Sequence, residues 1–319
     1  MFVFVTFWYN LNMKIVVIGS GKLVKKITNT LSPDIKIYGI FSRNKITSTK
    51  LAKKVNAKIY NSLDEIKSDK EEFDFAYVVT PHTSHFEYAK FCLINDINVL
   101  VEKPLVTTLK DLETLIELSK TSKAYISEAM WSFICDPLNE AKKFLRNKKI
   151  KEANLNFSIF KPFFNKKDRL FNPSLKGGAL FDIGIYLVTI AYMFFGVPLS
   201  TSISSVTKKK IDVIDTITLN YNGFKINLYT SFYGFKDTMK VVGDGFILSS
   251  NVLAHAPNKI KIKTKDEIRY IKGETSYNEE FRKVHTDISN GLKFNSRISL
   301  LDNLNIMKIM EELDEKIIR

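Results

Sequence analysis

Cysteine and histidine are scarce in this chain. Its two cysteines, Cys92 and Cys135, stand far apart and form no Cys-x-x-Cys. They read as small buried hydrophobes in a reducing compartment, and the expected location is cytoplasmic. The four histidines include one close pair, His82-Thr-Ser-His85, with no carboxylate ligands beside it. A metal centre therefore has no ligand set to build on, and none is expected. RNP-type aromatic motifs and zinc-finger spacings are missing too, which removes the sequence grounds for a nucleic-acid partner. Residues 1–12, MFVFVTFWYNLN, are apolar but too short to span a bilayer. They also lack a basic n-region and a small-residue cleavage site, so neither a membrane partner nor a secretory signal is expected. A domain that starts naturally at Met13 makes this segment read as a non-essential extension. No internal repeat or low-complexity linker interrupts the rest of the chain.

The content is that of a globular protein: 45% hydrophobic and 26% charged over 319 residues, enough for two domains. Lys plus Arg exceed Asp plus Glu, 48 to 34, and the lysines are dispersed as on a solvated surface. The same surplus suits an anionic, phosphorylated ligand. In the first half, strand-like runs at 14–18, 35–41, 75–80, 98–103 and 124–129 alternate with helical stretches. One such stretch carries Leu23, Ile27 and Leu31 four apart on a single face. That alternation predicts a parallel, doubly wound sheet over residues 13–131. Beyond Asp136-Pro137 the pattern changes, with strands expected at 152–160, 202–208, 215–221 and 224–232. Ile217, Leu219 and Tyr221 alternate with polar residues, and Asn222-Gly223 is a hairpin turn signal. Residues 132–319 therefore read as an α+β domain: a mostly antiparallel, open-faced sheet, a long helix at 178–195 on one face and a closing helix at 300–318.

Three motifs carry chemistry. Lys14-Ile-Val-Val-Ile18 leads into Gly19-Ser20-Gly21, with Lys22 and Leu23 opening a helix whose N-terminus suits a pyrophosphate. Val99-Leu-Val-Glu102-Lys103-Pro104 delivers Glu102 and Lys103 to the carboxyl end of a buried strand, where ligands of such sheets bind. Gly177-Gly-Ala-Leu-Phe-Asp182-Ile-Gly-Ile-Tyr186 places Asp182 and Tyr186 on one helix face. In this order the motifs resemble the Gfo/Idh/MocA superfamily of pyridine-nucleotide oxidoreductases, over nearly the whole chain after Met13. Tyr186, with Ser127-Glu-Ala-Met-Trp131 and Arg169-Leu-Phe-Asn-Pro173, resembles its dimeric dihydrodiol dehydrogenase and glucose–fructose oxidoreductase branch.

The resemblance implies a Rossmann domain that holds a dinucleotide. At the end of the second strand Ser42-Arg43 stands where NAD-preferring relatives carry an acid, which implies NADP rather than NAD. Thr80-Pro81-His82-Thr-Ser-His85 resembles the loop beside the nicotinamide ribose, and Glu102 and Lys103 complete the cofactor set. Val24 replaces the usual small residue and is expected to push its helix slightly off the sheet. Trp131, Arg169, Asp182 and Tyr186 are implied for the substrate, a sugar, sugar derivative or cyclic diol. Variable pocket loops at 160–168 and 235–237 leave its identity open. Lys103, Tyr186 and Asp182 are the catalytic candidates. A free phenol has a pKa of about 10, so Tyr186 as base needs a neighbouring cation, for which Lys103 is the candidate. Lys103 would also polarise the substrate oxygen, and Asp182 would orient Lys103 or bind a neighbouring hydroxyl. A non-catalytic NADP-binding sensor of the same fold is the alternative. Relatives also pair through the open sheet face, implying a homo-oligomer, dimer or tetramer.

Overall fold

Two sheets of different construction build the computed structural model, which describes residues 12–165, 168–251 and 255–319. The segment read as a dispensable extension lies, apart from Asn12, outside the described residues. The first sheet is parallel throughout, in the order β3-β2-β1-β4-β5-β6. Its strands are β1 (Met13–Ile18), β2 (Ile35–Phe41), β3 (Lys58–Tyr60), β4 (Phe75–Val78), β5 (Val99–Glu102) and β6 (Ile126–Ala129). Every residue of β4, β5 and β6 is buried, as expected of strands covered on both faces. Strand order reverses at β1 and β4, and the crevice beyond their carboxyl ends is the switch point where such sheets bind ligands. Gly19, at φ +138°, sits in that crevice, and a Cβ there would stand 2.5 Å from the Val79 carbonyl oxygen. Val24 is buried in the core beneath the short helix Lys22–Ile27.

The second sheet has eight strands in the order β14-β13-β12-β11-β7-β10-β9-β8. They are β7 (Ile150–Ser158), β8 (Ser200–Lys208), β9 (Ile211–Tyr221), β10 (Phe224–Ser231), β11 (Asp237–Gly243), β12 (Phe246–Ser250), β13 (Lys259–Thr264) and β14 (Ile268–Lys272). All pairs are antiparallel except β7 with β10. The β9–β10 hairpin turns at Asn222-Gly223 as expected, with Gly223 at φ +85°. Strands β11–β14 extend the sheet well beyond those anticipated.

Against the inner face lies the apolar helical run, which is not one regular helix. Leu180–Gly184 forms a π-turn, and the α-helix proper is Ile185–Phe195. The stretch Pro173–Phe195 is apolar enough to cross a membrane, yet 78% of its most apolar window is buried inside the fold. It is packed as a core helix. Its side chains share one cluster with Leu155, Ile217, Ile226 and Val241 of the sheet and with Val78 and Val101 of the first domain.

The last helices return to the first domain. Phe281, on helix Tyr277–Ser289, sets its ring 5.9 Å from Phe75 and 5.1 Å from Tyr77. Burying such a ring contributes roughly 1.5–3 kcal/mol. Arg282 of the same helix bonds Asp34 at 2.9 Å. Helix Leu300–Glu315, opened by a Ser299–Asp302 capping box, reaches helix Leu109–Thr121 through Glu311, which accepts the Leu109 N–H. A chain that reads as two successive domains is thus stitched together at its end.

Candidate active site

One cavity of about 990 Å³ runs along the carboxyl edge of the first sheet to the helical run of the second domain. Its outer end is lined by Gly19, Ser20, Gly21, Lys22, Leu23, Ser42, Arg43, Thr80 and Pro81, all anticipated from the motifs. Ser20 Oγ lies 2.8 Å from Ser42 Oγ and 2.6 Å from Thr47 Oγ1, so three hydroxyls meet beside exposed Arg43. Among the described residues no acidic side chain pairs with Arg43. Lys25 and Lys26, one turn into the first helix, also line this end. Thr47 and these lysines were not anticipated; a hydroxyl inside a helix and lysines on a Lys-rich surface carry no distinguishing pattern.

The inner end is buried. Lys103 leaves the end of β5 with its side chain 9% exposed, and its Nζ donates to the Asp182 backbone carbonyl. The same Nζ is 3.6 Å from the Asp182 carboxylate. That carboxylate also accepts from the Arg169 guanidinium at 2.8 Å. Desolvation opposes the charge on Asp182, but Lys103 and Arg169 overcome it and hold the carboxyl well below the ordinary range. Lys103 goes the other way: burial, aided by Arg169, lowers its pKa despite the pull of Asp182. Arg169 also donates to His82 Nε2 at 3.0 Å, and the His82 Nδ1–H faces the Lys176 carbonyl at 3.4 Å. Burial and the Arg169 charge push the His82 pKa well down, so the ring is a neutral acceptor.

Tyr186 differs from expectation. Lys103 Nζ stands over its ring, 4.7 Å from the centroid, rather than at the hydroxyl. Desolvation and the nearby Glu102 carboxylate hold the phenol well above its ordinary pKa of 10.0. The cation that was expected to turn Tyr186 into a base thus faces the wrong part of it. Trp131 is corrected too: it does not line the cavity but stacks edge-on, at 4.8 Å, against Tyr277, which does. Tyr277 comes from a helix 174 positions beyond Lys103, and no local motif marks it.

His85 lines the cavity as a brace. Its ring nitrogens lie 2.7 Å from the Pro104 carbonyl and 2.9 Å from the Thr80 carbonyl, joining two site loops. Behind Lys103, Tyr77 donates to Glu102, whose pKa burial raises. Glu128 accepts from Leu105 N–H and from Asn303 at 2.8 and 2.7 Å, and burial pushes its carboxyl up to about 7. His255, unmarked by any motif, packs 5.2 Å from the Tyr186 ring and bonds Asp237 at 3.1 Å.

Comparison with known proteins agrees with this geometry. Over 92% of its length the chain is 24% identical to the trans-1,2-dihydrobenzene-1,2-diol dehydrogenase of Xenopus tropicalis, covering 93% of that protein. It is 26% identical to the NADP(+) scyllo-inositol 2-dehydrogenase of Bacillus subtilis, over 73% of each chain. Among solved structures, a 3-ketoreductase from Actinomadura kijaniata in complex with NADP superposes with a TM-score of 0.80 at 18% identity, covering 95% of this chain and 97% of that one. Residues 13–129 match the profile of the Gfo/Idh/MocA oxidoreductase family, described by its NAD-binding Rossmann fold. Residues 13–129 thus match the NAD-binding Rossmann domain of the Gfo/Idh/MocA oxidoreductases, and the near full-length relatives and the shared two-sheet fold extend the likeness over the rest of the chain.

Proposed function

We propose that the chain is an NADP(H)-dependent oxidoreductase acting on a hydroxyl or carbonyl carbon of a sugar, sugar derivative or cyclic diol. One observation carries this reading: a cradle of hydroxyls and cations shares a single cavity with a buried, depressed-pKa lysine. The outer end fits the cofactor on its own geometry. Gly19 permits the close turn, Gly21 has open space around its Cβ position, and a helix N-terminus follows at Lys22. Ser20, Ser42 and Thr47 with Arg43 suit a 2′-phosphate, for which an Asp or Glu would be repulsive. The relative named as an NADP(+) enzyme, the Bacillus subtilis scyllo-inositol 2-dehydrogenase, supports the choice of cofactor.

When bound, the nicotinamide would supply the hydride chemistry. The side chains manage the proton. In oxidation the substrate hydroxyl must lose one, and Lys103, its pKa lowered by burial, takes it as the neutral amine. In reduction the Lys103 ammonium returns it to the carbonyl oxygen. Asp182 and Arg169 hold Lys103 at the end of its strand, and neutral His82 steadies Arg169. The Tyr186 phenol keeps its proton, so it serves as hydrogen-bond donor to the substrate oxygen rather than as base. NADPH oxidation across ketoses, aldoses, inososes and cyclic diol precursors tests the reading. Turnover on one class supports it; tight NADPH binding without turnover on any would leave the sensor.

A further inference from the structure

The turn that carries Asp182 is gripped by a buried acid that the proposed chemistry does not use. Asp212 of β9 is 1% exposed, in a core that holds Ile217, Leu219 and Ile226 and one other buried acid, Asp215. Asp215 shares a hydrogen bond with Asp212, accepts from Ser205 and Thr230, and is pushed up to about 7 by burial and by the Asp212 charge. Its Oδ2 accepts the Leu180 N–H at 2.7 Å, and its Oδ1 lies 3.2 Å from the Arg319 guanidinium. Leu180 opens the π-turn, so its N–H belongs to the amides at a helix start that lack a partner within the helix. Gly178, at φ +124°, rests on the same carboxylate; a Cβ there would stand 2.2 Å from Oδ1. Only glycine lets the segment come this close.

A second grip closes on the same segment. Lys176 reaches Asp314 of helix Leu300–Glu315 at 2.8 Å, and Arg319 bonds Asp314 as well as Asp212. The segment leading into the turn is thereby held at two points, Lys176 and Leu180. What the turn presents is the acceptor pair for Lys103: the Asp182 carbonyl and its carboxylate.

We infer that Asp212 is a positioning residue for Lys103, acting through Leu180 and Asp182, with Arg319 holding its carboxylate in place. The inference rests on the reading of Lys103 as the proton-transfer group. Competitive acetylation of the full chain, without cofactor, across the neutral to alkaline range tests it, with modification at Lys103 read by mass spectrometry. Asp212→Ala lowers the Lys103 midpoint by about one pH unit, because a still-buried ammonium loses both Asp182 acceptors. Asp212→Asn keeps an oxygen for the Leu180 N–H and leaves the midpoint near that of the parent. An unmoved or raised midpoint in Asp212→Ala overturns the inference. So does an equal fall in Asp212→Asn, which would trace the effect to lost charge rather than to the lost grip on Leu180. If Asp212→Ala does not fold, Arg319→Ala carries the test, with a smaller fall expected and an unmoved midpoint overturning it. A purely structural role would change melting temperature without moving the midpoint. Neither cofactor nor turnover enters the measurement, so it fails or succeeds separately from the NADPH assay.

Discussion

The two ends of the cavity use charge in opposite ways. At the outer end, Arg43 is exposed and the hydroxyls of Ser20, Ser42 and Thr47 bond to one another at the surface of the first domain. Charges there are screened by water and salt, which suits reversible capture of a charged ligand. At the inner end, Lys103 and Asp182 are about nine-tenths buried, and neither keeps its ordinary pKa. Desolvation there strengthens each interaction and raises the penalty for a missing partner. A cavity built this way separates affinity from chemistry, so changes at one end should leave the other's property nearly intact.

The largest expected effect is at the inner end. Lys103→Ala should lower kcat by ~10²–10⁴-fold, the usual contribution of a general acid–base group, with NADP(H) affinity nearly unchanged. Oxidation needs the neutral amine, so its rate should rise with pH. Reduction needs the ammonium, so its rate should fall. Both midpoints should lie below the ordinary lysine value of 10.5, since burial lowers the Lys103 pKa. Tyr186→Phe should cost less, roughly tenfold, the order of one lost hydrogen bond, and should keep the pH limb. If stopped-flow profiles showed the limb vanishing in Tyr186→Phe and surviving in Lys103→Ala, the two roles would have to be exchanged.

At the outer end Arg43→Ala should weaken NADP(H) by roughly ten- to a hundredfold and NAD(H) hardly at all, the range of a charge-assisted hydrogen bond of about 1.5–3 kcal/mol. Titration calorimetry with both cofactors decides it; equal losses would remove the 2′-phosphate from Arg43. Salt sharpens the comparison with no mutation. Raising ionic strength shortens the screening length from about 10 Å at 0.1 M to about 3 Å at 1 M. NADP(H) affinity should therefore fall severalfold, while kcat at saturating cofactor stays level because the inner charges are out of solvent.

How much was legible in the sequence follows the same division. The outer end is made by consecutive residues at strand ends, so Gly19-Ser20-Gly21 and Ser42-Arg43 could be read as motifs. The inner end is made by convergence. Lys103, Asp182 and Arg169 were found because each sits in a recognisable run, but their mutual geometry was not. Four-residue spacing suggested a common face for Asp182 and Tyr186, yet nothing local announced a π-turn between them, or that Lys103 would cover the ring. Tyr277 and Asp212 are single residues whose importance depends on what the fold brings beside them. Among strands, β3 is three residues long and β14 is largely exposed, so neither carries a clear apolar alternation. In β13 the Lys-Ile-Lys-Ile alternation is present, with Ile260 and Ile262 buried, yet the segment was not among the strands expected.

The smallest expected effect concerns the joint that lets the two ends share a cavity. Helix Tyr277–Ser289 brings Tyr277 to the inner end, and Arg282 of that helix clamps Asp34 beside the start of β2 in the cofactor domain. The Arg282 hydrogen bonds outweigh desolvation and lower the Asp34 pKa from 3.8 to about 2. A carboxyl whose folded pKa is depressed adds stability that is fully present above its unfolded value and is lost as pH falls through the folded one. The clamp should therefore be constant at neutral pH, weaken below about pH 3.8 and be lost as pH falls through about 2. Both side chains are more than a quarter exposed, so its contribution should be about 1 kcal/mol rather than the full value of the shift. Arg282→Ala should cost that amount in urea melts at neutral pH and nothing at the acid extreme. An undiminished loss near pH 2 would mean that Arg282 works through its packing and its bonds to Ser32 and Glu279 instead.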